Sequence, residues 1–502
     1  MTQLQTLHRR RTALTLKPNA IAAPLVQARW ALLPAALLPL AALANPTGGT
    51  VVAGQASIGS AGSLTTIQQQ SASAVINWQQ FGIGDGETVQ FLQPSASAAV
   101  LNRVIGGDPS SILGNLTANG RVFLINPLGV MFGAGARVDV GGLVASTLDI
   151  RNDDFMAGRY VLAGDSSAAI SNDGVLTARD GGFVVLAAGN VQNGGLIQTR
   201  LGDVVLASGG GITLDLNDTG LVSYRIDAAA LSDVAGVSNS GSLMADGGRV
   251  FMAAKVARDL AATAVNNSGV VRAASIGEEN GVIVLEAAGG NTVSSGTLTA
   301  TSDSGQGGTV QLLGDADVLV TGGTVDVSGA TAGGVIRVGG GWQGGEGLVE
   351  AERSYLATDA TLRADATVQG AGGNVVLWSG DESVVRGGIA ARGAGSGRGG
   401  EVETSSRGLL DVRAAPDVSG GAESSVGGHW LIDPYDLNIF NGVTSGITTS
   451  GVTGNIFQTA DGPSRSSANP TVSTIDVGLI LQGLGNNGSV TVTTGEPGSV
   501  GA

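Results

Sequence analysis

The sequence predicts an all-β fold, a β-solenoid in which one chain winds through stacked coils. Three observations carry the prediction. Glycine makes up 83 of 502 residues, yet it has no three-residue period and proline is only 13, which excludes collagen. Glycine pairs are followed repeatedly by a short β-branched run, as in Gly181-Gly-Phe-Val-Val-Leu, Gly247-Gly-Arg-Val-Phe-Met, Gly307-Gly-Thr-Val-Gln-Leu, Gly333-Gly-Val-Ile-Arg-Val and Gly372-Gly-Asn-Val-Val-Leu. After residue 45 no sustained i, i+3, i+4, i+7 apolar pattern appears.

The N-terminus reads as a targeting segment. His8-Arg-Arg-Arg11, Lys17 and Arg29 supply positive charge, and an apolar run extends from Trp30 to Ala44. Pro34 and Pro39 interrupt that run, and it falls short of the roughly 20 residues that span a bilayer. Ala42-Leu-Ala44 offers a small-residue cleavage site before Asn45. Residues 1–44 are therefore expected to be an extended signal peptide, cut between Ala44 and Asn45.

Next comes a dense series of short apolar strands and turns. It runs Val75-Ile-Asn-Trp-Gln-Gln-Phe-Gly-Ile-Gly, Phe91-Leu-Gln-Pro-Ser, Leu101-Asn-Arg-Val, Ala118-Asn-Gly-Arg-Val-Phe-Leu-Ile-Asn-Pro-Leu-Gly-Val-Met-Phe-Gly and Val140-Gly-Gly-Leu-Val-Ala-Ser-Thr-Leu. Over roughly residues 45–150 this arrangement resembles the N-terminal secretion domain of the filamentous haemagglutinin family, the exported partners of two-partner secretion systems in Gram-negative bacteria. The resemblance implies a right-handed parallel β-helix with an N-terminal cap. It also implies export through the periplasm and outer membrane to the cell surface or medium. The carrier would be a separate outer-membrane β-barrel transporter with periplasmic receptor domains. Asn126, Pro127, Leu128 and Gly129 match the position of the family's Asn-Pro-Asn-Gly turn, with Leu128 in place of the second Asn. That turn is expected to hold a corner, Pro127 fixing φ and Gly129 permitting φ > 0. By resemblance it also belongs to the region that the transporter reads. The family's other Asn-Pro motif has no clean match; Asp108-Pro-Ser-Ser-Ile stands in an equivalent loop.

The domain reading is a signal peptide at 1–44, a capped secretion domain at 45–160, and a β-helical stalk at 161–502 that continues past the end of this sequence. In the stalk, alternate Val, Ile and Leu should point into one narrow interior, with like residues stacked in ladders. Corner glycines are expected at φ > 0. A coil of roughly 20 residues gives on the order of 20 coils, a monomeric rod. Residues 228–231 and 254–264 are candidate short helices. Trp430 and Tyr435, in Gly427-Gly-His-Trp-Leu-Ile-Asp-Pro-Tyr, are expected to pack in the core and at a corner.

Composition removes several function classes. The net charge is −15, which argues against nucleic acid and anionic lipid as partners. The absence of cysteine excludes disulfides, thiolate metal sites and a cysteine nucleophile. Asp215-Leu-Asn-Asp-Thr-Gly220 opens like a calcium loop, but Ile226 stands where the bidentate Glu belongs, so an Asx turn is expected. Gly82-Ile-Gly-Asp-Gly lacks the Lys of a phosphate cradle and reads as a turn. Only His8 and His429 are available as imidazoles. The pairs Glu350/Glu352 and Glu401/Glu403 should each share one exposed strand face. No enzyme, cofactor or metal is expected. The expected function is that of a filamentous haemagglutinin-like adhesin binding a host or neighbouring-cell receptor or glycan. A toxin stalk and a β-helical carbohydrate-active enzyme are the alternatives.

Overall fold

Strict alternation within each strand sets which side chains enter the core. In Val335–Val338 and Asn374–Leu377, for example, Ile336, Val338, Val375 and Leu377 are buried in one continuous core that runs through every coil. The computed structural model describes residues 45–231, 236–257, 263–277, 279–424, 426–441, 448–450, 472–485 and 488–494. The expected signal peptide lies outside them.

Each coil contributes strands to three sheet faces, and nearly all pairings between coils are parallel, as in Val282–Ala288 on Arg249–Lys255 and Thr309–Gly314 on Val282–Ala288. Parallel pairing in register from coil to coil rules out a hairpin meander; the fold is a right-handed parallel β-helix. Two of the faces merge because Arg137–Ser146 and Val175–Ala188 bend through a corner. Arg137 to Asp139 pair with Asn115 to Thr117 on one face, while Gly142 to Ser146 pair with Arg121 to Ile125 on the next. Among the described residues the third face has 11 strands and only the terminal coils lack one there, so the coils are fewer than the order of 20 expected. The reason is that coil length varies. Ser110 and Val130 are 20 apart and Asn172 and Asn193 are 21 apart, as expected, whereas Asn239 and Asn267 are 28 apart and Asn193 and Asn239, with outer strands inserted between them, are 46 apart.

Both ends of the core are covered. Thr50–Ala53 and Ala56–Ala61 run antiparallel to Ser73–Trp78 and Leu64–Gln69, and close the N-terminal side over Trp78. At the other end, helix Val477–Leu484 buries Leu479 and seats Gly483 on the Trp430 ring. The Asp476 side chain caps it by accepting from the Gly478 N–H at 2.6 Å. The sequence reading did not anticipate this helix. Residues 228–231, expected as a helix, instead end the strand Gly220–Ala228 and form a bridge through Ala230. The flanks of 254–264 are strand as well.

Some corner glycines take positive φ as expected, Gly181 at +74° and Gly247 at +72° among them, but others serve a different purpose. Gly202, Gly248, Gly334, Gly373, Gly400 and Gly428 are not in the left-handed region. A Cβ on any of them would instead lie 1.9–2.1 Å from the carbonyl oxygen of the glycine one coil earlier. Close backbone approach, rather than positive φ, is what demands glycine there.

Beside a second corner stands a buried amide ladder, in line with the expectation that like residues stack. Asn172 Nδ2 donates to Asn193 Oδ1 at 2.7 Å, Asn193 to Asn239 at 2.8 Å, and Asn239 to Asn267 at 2.8 Å. Asn239→Ala removes one rung, leaves the Asn267 side-chain carbonyl buried without its donor, and leaves the Asn193 amide with the Gly195 carbonyl alone. A loss of about 2–3 kcal/mol is expected in urea unfolding, whereas exposed Asn266→Ala should cost under about 0.5 kcal/mol.

Candidate functional site

The candidate site sits at a corner of the early coils. Strand Arg121–Ile125 is buried throughout, and carries Asn126 to the corner where the chain turns toward Val130–Phe132. The Gly129 N–H donates to the Asn126 carbonyl at 3.0 Å, closing a four-residue turn. Leu128 keeps an ordinary negative φ and Gly129 takes +112°, so the glycine is required where the sequence reading placed it. A Cβ at Gly129 would also press on the Ala169 carbonyl at 3.1 Å.

Asn126 is only 1% exposed, and its side chain is fully used. Oδ1 accepts from the Leu128 N–H at 3.0 Å, while Nδ2 donates to the Asp108 carbonyl at 3.0 Å and to the Ser110 hydroxyl at 3.1 Å. The two loops singled out in the sequence, 108–112 and 126–129, are thereby tied together by one amide. The Ser110 N–H completes the tie by donating to the Gly129 carbonyl at 3.0 Å. Pro127 and Leu128 point the other way. Both are exposed, Leu128 at 48%. One turn thus separates two roles: Asn126 and Gly129 build the corner, and Pro127 and Leu128 present it.

Behind the site lies a polar network that the sequence reading quoted without assigning a role. Trp78 Nε1 donates to Asn102 Oδ1 at 3.0 Å, and Asn102 Nδ2 donates to the Phe123 carbonyl at 3.3 Å. Gln93 Nε2 donates to Gln69 Oε1 at 3.1 Å, and Gln93 Oε1 accepts from the Gly120 N–H at 2.9 Å. The signal available was Asn102 on the face of strand Ala99–Val104 that carries Val100 and Val104, both in the core. Outside this face, strands Tyr160–Ala163, Gly211–Asn217 and Gly220–Ala228 form an antiparallel sheet. It buries Phe123, Phe155 and Tyr160 against one another, with Phe123 stacked on Tyr160 at 5.0 Å between ring centroids.

The other candidates resolve as follows. Asp215–Gly220 is the expected Asx turn: Asn217 Oδ1 accepts from the Thr219 and Gly220 N–H groups at 2.9 and 3.0 Å. Gly82–Gly86 is a turn, with Gly86 at φ +75° and the Gly84 N–H donating to the Glu87 carboxylate. Trp430 is wholly buried, its Nε1 donating to the Thr404 hydroxyl at 3.0 Å. Tyr435 is half exposed and does not pack as expected, because the chain turns outward after Pro434. His429 Nε2 shares a hydrogen bond with the Thr491 hydroxyl at 2.7 Å. Glu350 and Glu352 lie outside any strand, and Glu350 pairs with Arg407 at 3.0 Å. Glu401 and Glu403 do share a strand, but Glu403 is wholly buried rather than exposed. Among the described residues, no cluster of three or more His, Cys, Asp or Glu is placed to hold a metal ion.

Comparison with known proteins agrees with a parallel β-helix. The TPS secretion domain family matches residues 42–300. The chain belongs to the TPS secretion domain family. Such a domain belongs to a two-partner secretion exoprotein, whose place is the cell surface or extracellular space, reached through an outer-membrane transporter. The fold is similar to the HMW1 secretion domain from Haemophilus influenzae, with a TM-score of 0.67 and 31% identity over 78% of this chain and all of that one. A heme/hemopexin-binding protein of Haemophilus influenzae strain Rd is 35% identical over 252 residues, covering 48% of this chain and 27% of that protein. A second Haemophilus influenzae protein of that name is 36% identical over 246 residues, 44% of this chain and 26% of its own length. The chain thus spans about a quarter of the length of these curated relatives. The family match runs past residue 160, where the sequence reading ended the secretion domain.

Proposed function

We propose that residues 45–160 are the export signal and folding nucleus of this exoprotein, and that the transporter's periplasmic receptor domains grip the 126–129 turn through Pro127 and Leu128. The partner is an outer-membrane β-barrel. The observation that carries the reading is the division of labour at the turn: a buried Asn126 uses every polar atom of its side chain to hold the corner, and leaves a proline and a leucine facing solvent. A rigid, exposed apolar pair suits a docking contact, since little conformational entropy is lost on binding. Beyond the nucleus, the coils are a stalk that presents a binding surface, and the protein works as a filamentous haemagglutinin-like adhesin without turnover. Acidic charge and the absence of a converging acid/base set favour binding over catalysis. The relatives named heme/hemopexin-binding favour a second reading, capture of a haem-carrying protein.

Secretion by cells carrying the cognate transporter tests the export reading. Leu128→Asp should leave stability within about 0.5 kcal/mol. If Leu128 is a contact residue worth ~2 kcal/mol, secretion should fall more than about tenfold. Asn126→Ala should cost about 2–3 kcal/mol of stability by orphaning buried partners, and lower secretion through folding. Normal secretion of Leu128→Asp together with Pro127→Ala would refute the contact.

A further inference from the structure

Residues 339–352 leave the stack between Val335–Val338 and Arg353–Leu356, and cross the outer side of one sheet. Beneath them lies a row of register partners from successive coils: Arg337, Val376, Glu403 and Leu431. All four are under a tenth exposed, and Glu403 is at 0%. Two contacts hold the crossing segment at its apex. The Gln343 N–H donates to Glu403 Oε2 at 2.8 Å, and Arg337 donates to both carboxylate oxygens of Glu346 at 2.7 and 2.8 Å. Farther along, Glu350 pairs with Arg407, whose guanidinium lies 5.0 Å from the Trp378 ring centroid. A Cβ on Gly344 would meet that same ring at 2.7 Å.

The segment is held under strain. Gly339, Gly344 and Gly347 have φ near +70°, and Gln343 and Glu346 sit at +52° and +64°, where non-glycine residues are disfavoured. On its floor, Glu403 Oε1 and the Ser405 hydroxyl oxygen are buried near one another, and neither makes a well-formed hydrogen bond. A carboxylate so placed is poorly satisfied when charged, and better satisfied when a proton on it can be donated.

We propose that residues 339–352 form a proton-gated strap, closed over the row while Glu403 is protonated and released to uncover Arg337, Val376 and Trp378 once Glu403 ionises. This goes beyond the export reading and stands or falls independently of it.

Burial pushes the Glu403 carboxyl up to about 7, and the nearby Asp433 charge adds to this, while the Gln343 N–H, the Ser405 hydroxyl and Arg337 oppose it. Glu401 on its own strand, Glu350 with Arg407, and Glu352 within the segment are further charged groups around the strap. With the strap open, Glu403 meets water and returns toward the ordinary carboxyl range. Protonation therefore favours closure: that contribution is full below the ordinary range, and is lost as the pH rises through about 7. Glu346 acts in the other direction. Arg337 holds its carboxyl below the usual range, so its contribution is present above that range and lost in acid. The strap is therefore tightest near the ordinary carboxyl range, roughly pH 4–5, and loosens as the pH rises toward 7.

Hydrogen exchange of the exported protein tests this, with rates corrected for the intrinsic effect of pH. Protection of peptides covering 339–352 should fall about tenfold or more between pH 5.5 and pH 8, with a midpoint near 7. Glu403→Gln should stay protected at pH 8, and Glu346→Gln should lose protection at both pH values. Protection in Ser242–Asp246 and Arg249–Lys255, elsewhere in the stack, should not change and reports that the variants are folded. Constant wild-type protection, a midpoint below 5, or the same pH response in folded Glu403→Gln would each overturn the proposal. The wild-type midpoint decides the matter even if a variant fails to fold.

Discussion

Gly248→Ala is expected to destabilise the protein by about 3 kcal/mol or more, while Gly59→Ala leaves it within about 0.5 kcal/mol. Both changes add one methyl group, so the contrast isolates what surrounds it. At Gly248 the new Cβ would lie 1.9 Å from the Gly202 carbonyl oxygen and 2.8 Å from its carbon. At Gly59, in the cap strand Ala56–Ala61, nothing lies within 4 Å. The obstacle at Gly248 is backbone, which cannot rotate away as a side chain does. Relief requires the two coils to part by about 1 Å or more, and that separation is fixed by the parallel ladder on either side of the corner. The strain cannot be confined to one residue, because the next coils stack on this one. Urea unfolding followed by circular dichroism measures the loss, and an unfolding midpoint for Gly248→Ala equal to that of Gly59→Ala would mean the corner yields locally.

The same glycines show what the sequence could and could not reveal. Gly-Gly before a β-branched run marked the corners and the strands that follow them, because a recurring local requirement leaves a recurring local pattern. Positive φ at Gly181 and Gly247 was legible, and the requirement at the second glycine of the pair was not. Positive φ is a property of one residue, whereas the clash at Gly248 is with a carbonyl from the coil before. Coil length was legible for the early coils, where Ser110 and Val130 are 20 apart, and not for the later ones, because inserted segments such as residues 211–228 lengthen a coil without adding a turn to the stack. The outer sheet was invisible because Tyr160–Ala163 finds its partner in Gly211–Asn217, two coils away. Helix Val477–Leu484 contains two glycines, a poor helical composition, and owes its stability to packing on Trp430. At the candidate site, the 126–129 turn was legible from Pro127 and Gly129, and the tie to Asp108 and Ser110 was not. Glu403 was read as an exposed strand residue because the strap that buries it comes from an earlier coil, about 60 residues away by the separation of Gln343 and Glu403.

Arg353→Met is the second large effect, a loss of about 3–5 kcal/mol at pH 8 that shrinks as the pH is lowered toward 5. Arg353 donates to both oxygens of Asp317 at 2.7 Å, and both side chains are about a tenth exposed or less. Its register partner on the other side is Glu382, so one guanidinium stands between carboxylates from the coils above and below. Methionine fills similar volume but supplies no charge, and two buried acids are left facing one another across the gap. Burial already pushes Glu382 up to about 7, with Arg353 the main influence holding it down. Without that influence it rises further. A carboxyl raised in the folded state loses stability as the pH climbs through its folded value, and regains it when protonated in acid. The variant's deficit relative to wild type should therefore be largest at pH 8 and smallest near pH 5. Destabilisation that is equal at the two pH values would assign the loss to packing rather than to charge, and would make Arg353 a spacer between coils instead of their electrostatic link.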